Sequence, residues 1–339
     1  MKAVSVDAEG DLPPAGPGSS RVTSAGSAAP SSKRRARLLF AVKLLVTAGA
    51  LAFTFSRISF ADLTGAVRRL QPSAVVVAAA LTLANLALAG LRWRILLAAY
   101  GAKDAPSVAF LARAQLVGHF YNTFVPGNVT GDVLRAHATR RSFDGPLGSY
   151  MVVVLERFFG LAGLFTLGAI GLVLRPLPGV MRADLLAALA FATALLIALI
   201  PIAGRSLGRR LPGRLGRFAA SLPAVERPGL LGVVMALAIV THTLVALTGH
   251  VLIDSIAPQV AAHESIVLVP LAMIATYVPF SVAGLGVREA AFVFLFGRVG
   301  VPAAGATAAS LAFLAVYALV AALGGLVHLA RPLVIEERR

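Results

Sequence analysis

Thr123-Phe-Val-Pro-Gly-Asn-Val-Thr-Gly-Asp-Val-Leu-Arg135 interrupts a long apolar run with Pro126, Gly127 and Gly131, then sets a cation where the run would otherwise continue. An echo stands 153 residues further on, Thr276-Tyr-Val-Pro-Phe-Ser-Val-Ala-Gly-Leu-Gly-Val-Arg288. Thr123/Thr276, Val125/Val278, Pro126/Pro279, Val129/Val282, Gly131/Gly284 and Arg135/Arg288 fall at the same offset. Paired Pro/Gly-broken apolar segments in corresponding halves of a chain point to the binding site of a membrane protein built from repeats.

Composition places the echo in a membrane. Of 339 residues 58% are hydrophobic and 14% charged, and the mean hydropathy is +0.84. Apolar runs of 18 residues or more recur, which is the signature of a polytopic α-helical membrane protein. The runs are continuous rather than alternating, which excludes a β-barrel. Cysteine is absent, removing disulfides, Cys-ligated zinc and thiol nucleophiles from consideration. The net charge of +16 sits between the apolar runs, where it serves orientation and anionic lipid contact and not nucleic acid.

Residues 1–37 open on a stretch rich in Pro, Gly, Ser and Ala and read as a disordered cytoplasmic tail closed by Lys33, Arg34, Arg35 and Arg37. Residues 38–330 read as the transmembrane domain and 331–339 as a cytoplasmic tail. Full spans are expected near 38–56, 74–100, 147–174, 184–203, 229–254 and 303–330. Broken segments are expected near 106–134 and 265–297. If each broken segment returns to the side it entered from, the inside loops hold 19 Lys and Arg against 7 outside. The positive-inside rule selects that arrangement, with the N-terminus in the cytoplasm of a bacterial inner membrane. The halves 38–174 and 184–330 then carry the same element order from opposite sides, an inverted-topology repeat. The expected fold class is therefore an all-α polytopic membrane helix bundle with two re-entrant segments.

The first broken segment offers Asn122, Gly127, Asn128, Thr130, Gly131, Asp132 and Arg135. Non-helical backbone at membrane depth survives only inside protein or against a wet cavity. Asn128 or Thr130 is expected to cap a helix starting near Gly131, whose N-terminus favours an anion. Arg135 supplies a planar fork suited to phosphate, and Asp132 faces it at i, i+3. The competing reading is a cytoplasmic loop with solvated charges. The second segment places Ser281, Gly284, Gly286, Arg288 and Glu289 comparably, although adjacent Arg288 and Glu289 should diverge on a helix and serve to end the segment at the outer surface. Glu156 and Arg157 lie within an apolar span, where a mid-bilayer charge costs about 2.5–3.5 kcal/mol, so both are expected to face the interior. They serve either a site or a buried pairing with Arg135 or Asp132. Arg92, Trp93 and Arg94 read as an interfacial anchor with snorkelling cations. His242 and His250 read as packing residues.

No G-x-x-x-x-G-K-[ST], H-E-x-x-H or G-x-S-x-G motif occurs, and no segment between spans is long enough for a catalytic domain, so the expectation is a non-enzyme without a cofactor. Three stretches, Gly118 to Arg135, Leu155-Glu-Arg-Phe-Phe-Gly160 and Gly284-Leu-Gly-Val-Arg-Glu-Ala-Ala291, resemble the lysylphosphatidylglycerol synthase transmembrane-region family of flippase-like membrane proteins. The resemblance spans about residues 38–330. It implies lipid handling; lysyl transfer would need the cytosolic aminoacyl-transferase domain that some relatives carry and this chain does not show.

The combined expectation is a flippase-like transporter or scramblase for an anionic or phosphate-linked lipid. Its partner is a membrane phospholipid or a polyprenyl-phosphate-linked lipid. Arg135, Arg157 and Arg288 would neutralise phosphate, while Asp132, Glu156 and Glu289 would orient those cations or exchange protons. The alternatives are a headgroup-modifying enzyme and a membrane adaptor for a separate transferase.

Overall fold

The computed structural model describes residues 58–125, 129–174, 224–277 and 285–333, together with scattered positions at 45–56, 185–195 and 213. The tails 1–37 and 334–339, the span expected at 38–56 and much of that at 184–203 lie outside the described residues. The labelled elements are all helical: α1 Phe60–Arg69, α2 Pro72–Ala99, α3 Val108–Phe124, α4 Thr130–Ala138, α5 Pro146–Leu174, α6 Gly229–Asp254, α7 Ala262–Tyr277, α8 Val287–Gly297 and α9 Ala303–Ala330. No strand occurs among the described residues. By length and composition α2, α5, α6 and α9 can each cross a membrane, at the positions expected from the sequence.

Loops gather at two ends of this bundle. At the near end Lys103 N donates to Ser142 O (2.9 Å), and Glu226 N and Arg227 N donate to Ala99 O (2.9 and 3.1 Å). The chain entering α3 and the chain leaving α4 are thus hydrogen-bonded to each other. At the far end Gln71 N donates to Ser255 Oγ (2.9 Å), and a cavity of ≈ 630 Å³ is lined by Arg69, Gln259 and Pro302. Hence α2 and α6 run antiparallel. The lengths also repeat: α2, α3, α4, α5 have 28, 17, 9 and 29 residues, and α6, α7, α8, α9 have 26, 16, 11 and 28.

Helix ends follow the echo in part. α3 stops at Phe124 because Val125 is extended ahead of Pro126, a residue that disfavours helical backbone before it. α7 stops at Tyr277, the same position at the 153-residue offset. The restarts differ: α4 begins at Thr130, whereas α8 begins at Val287, four residues later than the offset would give.

One element was not anticipated. Residues 57–73, read as a loop, contain α1. Ser59 accepts from Asp62 N (3.1 Å) and donates to Asp62 Oδ2 (2.7 Å), an acid sits in the first turn and Arg68 and Arg69 in the last. That capping pattern was visible in the sequence; its short apolar stripe, with Ala66 buried and Phe60 and Val67 exposed, was not long enough to register as a span.

The two ends define a labelling experiment. Arg141 and Gln259 are exposed at the near and far end respectively. Arg141→Cys and Gln259→Cys, made singly in this cysteine-free chain, should react with an impermeant maleimide from opposite sides of the membrane. Labelling of both from one side would contradict the arrangement of α2 and α6.

Candidate functional site

α4 is short, and its own N-cap residue, Val129, makes no side-chain capping bond. The cap comes from α3 instead. Asn122 Oδ1 accepts from Gly131 N (2.9 Å), and Asn122 Nδ2 donates to Asp132 Oδ1 (3.3 Å). This geometry demands glycine at position 131 and leaves little room at 118, where a Cβ would meet the Arg135 side chain at 3.0 Å. A Cβ on Gly131 would sit 2.0 Å from Gly118 O, so α3 and α4 cross backbone to backbone. Thr130, proposed as a possible cap, is the first helical residue; Gly127 and Asn128 lie outside the described residues.

The crossing delivers α4 charges to α5. Arg135 Nη1 donates to Glu156 Oε2 (2.6 Å), and Arg135 Nη2 donates to Asp132 Oδ1 (2.7 Å). Arg157 donates through its guanidinium to Asp132 Oδ2. Each helix therefore gives the other one acid and one base. Arg135 also lies over the Trp93 ring, 5.2 Å from its centroid, a cation–π contact within the interior. Glu156 has further partners: Arg92 Nη2 (3.1 Å) on α2 and Gln115 Nε2 (2.9 Å) on α3. Arg92 Nη1 donates onward to Thr241 Oγ1 (3.1 Å) on α6. Four helices, α2 to α5, meet at one carboxylate, and Arg92 links it to a fifth, α6.

Depth and charge give this cluster its character. Glu156 stands ten residues into α5, about 15 Å along the axis of a 29-residue helix ~44 Å long, within the stretch able to cross a membrane. Three guanidiniums face two carboxylates, leaving one surplus positive charge. Arg135 and Glu156 are buried, with side chains 6% and 4% exposed, but Arg157 is 46% exposed. A half-exposed guanidinium at this depth belongs against water or headgroups rather than hydrocarbon.

The second segment forms its own cluster. Gly286 caps α8 with φ +79°, a left-handed conformation that favours glycine, and its N–H donates to Glu289 Oε2 (2.7 Å). Arg288 Nη2 donates to Glu289 Oε1 (2.6 Å), and Arg288 Nε donates to Ser310 Oγ (3.0 Å) on α9. Ser310 in turn donates to Glu289 Oε1 (3.1 Å). This cluster is buried and charge-balanced. No described hydrogen bond or ion pair joins it to the Arg135 cluster. Ser281 and Gly284 lie outside the described residues.

A match to the lysylphosphatidylglycerol synthase transmembrane region extends over residues 40–325. The chain belongs to that family. No curated protein matches it. Family membership and the four long apolar helices together make it a membrane-embedded protein related to lipid handling.

Within this family member, three expectations need correction. Arg92 and Trp93 are not an interfacial anchor: both are buried, because six further helical residues, Arg94 to Ala99, and then Tyr100 carry the chain beyond them. Only Arg94 keeps a surface role, donating to Pro106 O (3.1 Å). Arg288 and Glu289 do not diverge or cap an outer surface; the long Arg288 chain folds back onto its neighbour with Ser310 as the bridge. Arg157 is not interior with Glu156, since adjacent helical residues point about 100° apart. Sequence reading also missed Thr241 and Ser310, hydroxyls in apolar helices that carry no distinguishing signal by themselves. His250 meets Ser265 Oγ (3.2 Å), and His242 carries no metal-ligand company among the described residues.

Three substitutions test the assembly. Gly131→Ala should cost about 1–3 kcal/mol through overpacking against Gly118, whereas Gly65→Ala, with open space around it, should be neutral or stabilise α1 by up to about 1 kcal/mol. Glu156→Gln removes the charge that Arg92 and Arg135 share and leaves Arg92 with Thr241 alone among its described partners, and should cost on the order of 3–5 kcal/mol. Thermal unfolding in mild detergent reads all three. An unchanged midpoint for both Gly131→Ala and Glu156→Gln would remove the crossing and the ion cluster as structural determinants.

Proposed function

We propose that this chain is a flippase-like transporter or scramblase for a lipid bearing a phosphate, with no catalytic role of its own. The observation that carries the reading is the cluster of Arg92, Arg135 and Arg157 with Asp132 and Glu156 inside the helix bundle, in which Arg157 is half exposed. A planar fork of this kind suits a phosphate diester, and a low-dielectric setting strengthens the contact. The headgroup would sit beside Arg157 and Arg135 while the acyl or prenyl tails stay in the bilayer.

Two further features support transport over fixed binding. Lys103 N, ahead of α3, donates to Ser142 O, beyond α4, and Val260, ahead of α7, shares an apolar cluster with Val301, beyond α8; both contacts support a chain that leaves each broken segment at the end it entered. We read these segments as re-entrant hairpins in an inverted repeat, the arrangement that lets a central site be reached from either leaflet. Lys103, Arg140, Arg141, Arg227 and Arg331 sit at the near end against Arg68, Arg69 and Arg298 at the far end, which favours a cytoplasmic near end in the cell membrane.

The test is purification in mild detergent with mass spectrometry of retained lipid, then translocation of a fluorescent phosphatidylglycerol in reconstituted vesicles. Wild type should retain a phosphate-bearing lipid and move it. Arg135→Ala and Arg157→Ala should each lose about 1.5–3 kcal/mol of lipid binding, a tenfold loss or more, with Arg→Lys restoring part of it. Lipid retained but never translocated would shift the chain to an adaptor for a separate transferase. Retention of no phosphate-bearing lipid, with translocation unaffected by either arginine, would end the reading.

A further inference from the structure

The position that a phosphate would take between Arg135 and Arg157 is already held by an anion, Asp132. Its Oδ1 accepts from Arg135 Nη2 at 2.7 Å, and its Oδ2 accepts from the Arg157 guanidinium. A carboxylate bridging two guanidiniums presents two oxygens to two forks, as the non-ester oxygens of a phosphodiester would. The other carboxylate is placed differently. Glu156 shares Arg135 but keeps Arg92 and Gln115, which belong to α2 and α3 and are buried behind it. Asp132 has no such reserve. Among the described residues, Asp132 without its two guanidiniums retains only Asn122 Nδ2, at 3.3 Å.

We propose that Asp132 is an internal counter-anion that fills the headgroup position of the resting protein, that a lipid phosphate binds by displacing it from Arg157 and Arg135, and that the displaced carboxylate takes up a proton. This rests on the anion-site reading above and adds what regulates the site. The half-exposed Arg157 is where an incoming phosphate makes first contact, and every bond it takes from Asp132 leaves a buried carboxylate beside a second anion. Two like charges in one buried site disfavour joint ionisation, and a proton from solvent relieves the contact. Glu156 stays ionised, because Arg92 and Gln115 continue to hold it. The sequence singled out Glu156 as readily as Asp132 for proton exchange; the partner sets separate them.

The groups surrounding Asp132 leave few rival proton acceptors. Its own helix supplies Arg135, and α5 supplies Arg157 and, across Arg135, Glu156. α3 supplies Asn122. One turn earlier on α3, His119 is engaged with Tyr317 O on α9 (3.1 Å), and Tyr121 packs edge-on to His328. α2 contributes the Trp93 face and, beyond it, Arg92.

An internal competitor gives a sign opposite to that of an ordinary binding residue. Asp132→Asn should tighten anion binding, on the order of tenfold, since it removes a charge-assisted rival from both arginines. If Asp132 only positions Arg135, the same change should weaken binding. The probe is dihexanoyl phosphatidylglycerol, titrated into full-length protein in detergent between pH 5.5 and 8.5. Wild-type affinity should fall as pH rises, by up to about tenfold per pH unit where one proton accompanies each lipid. In two buffers of different ionisation enthalpy, binding should show net proton uptake. Asp132→Asn should bind tighter with a flat pH profile, and Arg157→Ala should bind weakly.

Wild-type binding with a flat profile and no proton uptake overturns the counter-anion while leaving the anion site intact, and needs no variant to fold. A wild-type pH profile persisting in Asp132→Asn, or weaker binding by that variant, overturns it equally. Failure of wild type to bind the probe at any pH overturns the anion-site reading itself.

Discussion

The Arg135–Glu156 bond is the contact on which the first half of the molecule depends. A nine-residue helix such as α4 is too short to persist on its own. Its cap is borrowed from Asn122, its backbone lies against Gly118, and its outward grip on α5 is ionic. A buried charge within a membrane-spanning helix tolerates no vacancy in its partner set, so the need to satisfy Glu156 also fixes where α2 and α3 must approach and, through Arg92, α6. Arg92, Gln115 and Thr241 are explained by that need and by nothing in their own helices.

The two halves use one plan with different electrostatics. In the first, acids and bases are traded between helices, the count leaves a surplus cation, and one arginine is half open. In the second, Arg288 and Glu289 satisfy each other across one peptide bond, Ser310 closes the ring, and the cluster is neutral and buried. The four-residue delay before α8 accounts for this. It brings Arg288 into the first turn beside the Gly286 cap rather than the second turn that Arg135 occupies in α4.

Much of this was legible where cost is large and local. Long apolar runs fixed the four spans, Pro126 fixed where α3 stops, and charges inside apolar runs marked Glu156 and Asp132 with Arg135. The parts that were not legible depend on partners distant in sequence. Arg92 reads as a flank until α2 is known to continue past it. A cap from Asn122 skips the turn and reaches Gly131 nine positions on, and no local pattern encodes it. Arg288 and Glu289 diverge on an ideal helix, yet a long side chain curls through the 100° that separates them.

Packing divides the site into a frame and a movable member. α3 is clamped on two sides by contacts that admit no side chain. A Cβ on Gly90 of α2 would lie 2.7 Å from Ala112 N, and one on Gly324 of α9 would lie 2.3 Å from Leu116 O. Such backbone contacts have no second arrangement nearby, because interiors are close-packed and bistable rather than continuously deformable. α4 is held to α5 by guanidinium–carboxylate bonds, and these have an alternative partner in any phosphate that reaches Arg157. Exchange of ion partners can therefore involve the charged side chains between α4 and α5, while the Gly118–Gly131 crossing keeps the α4 backbone against α3. The glycine contacts keep the frame, α4 included, and the movable member is the set of charges.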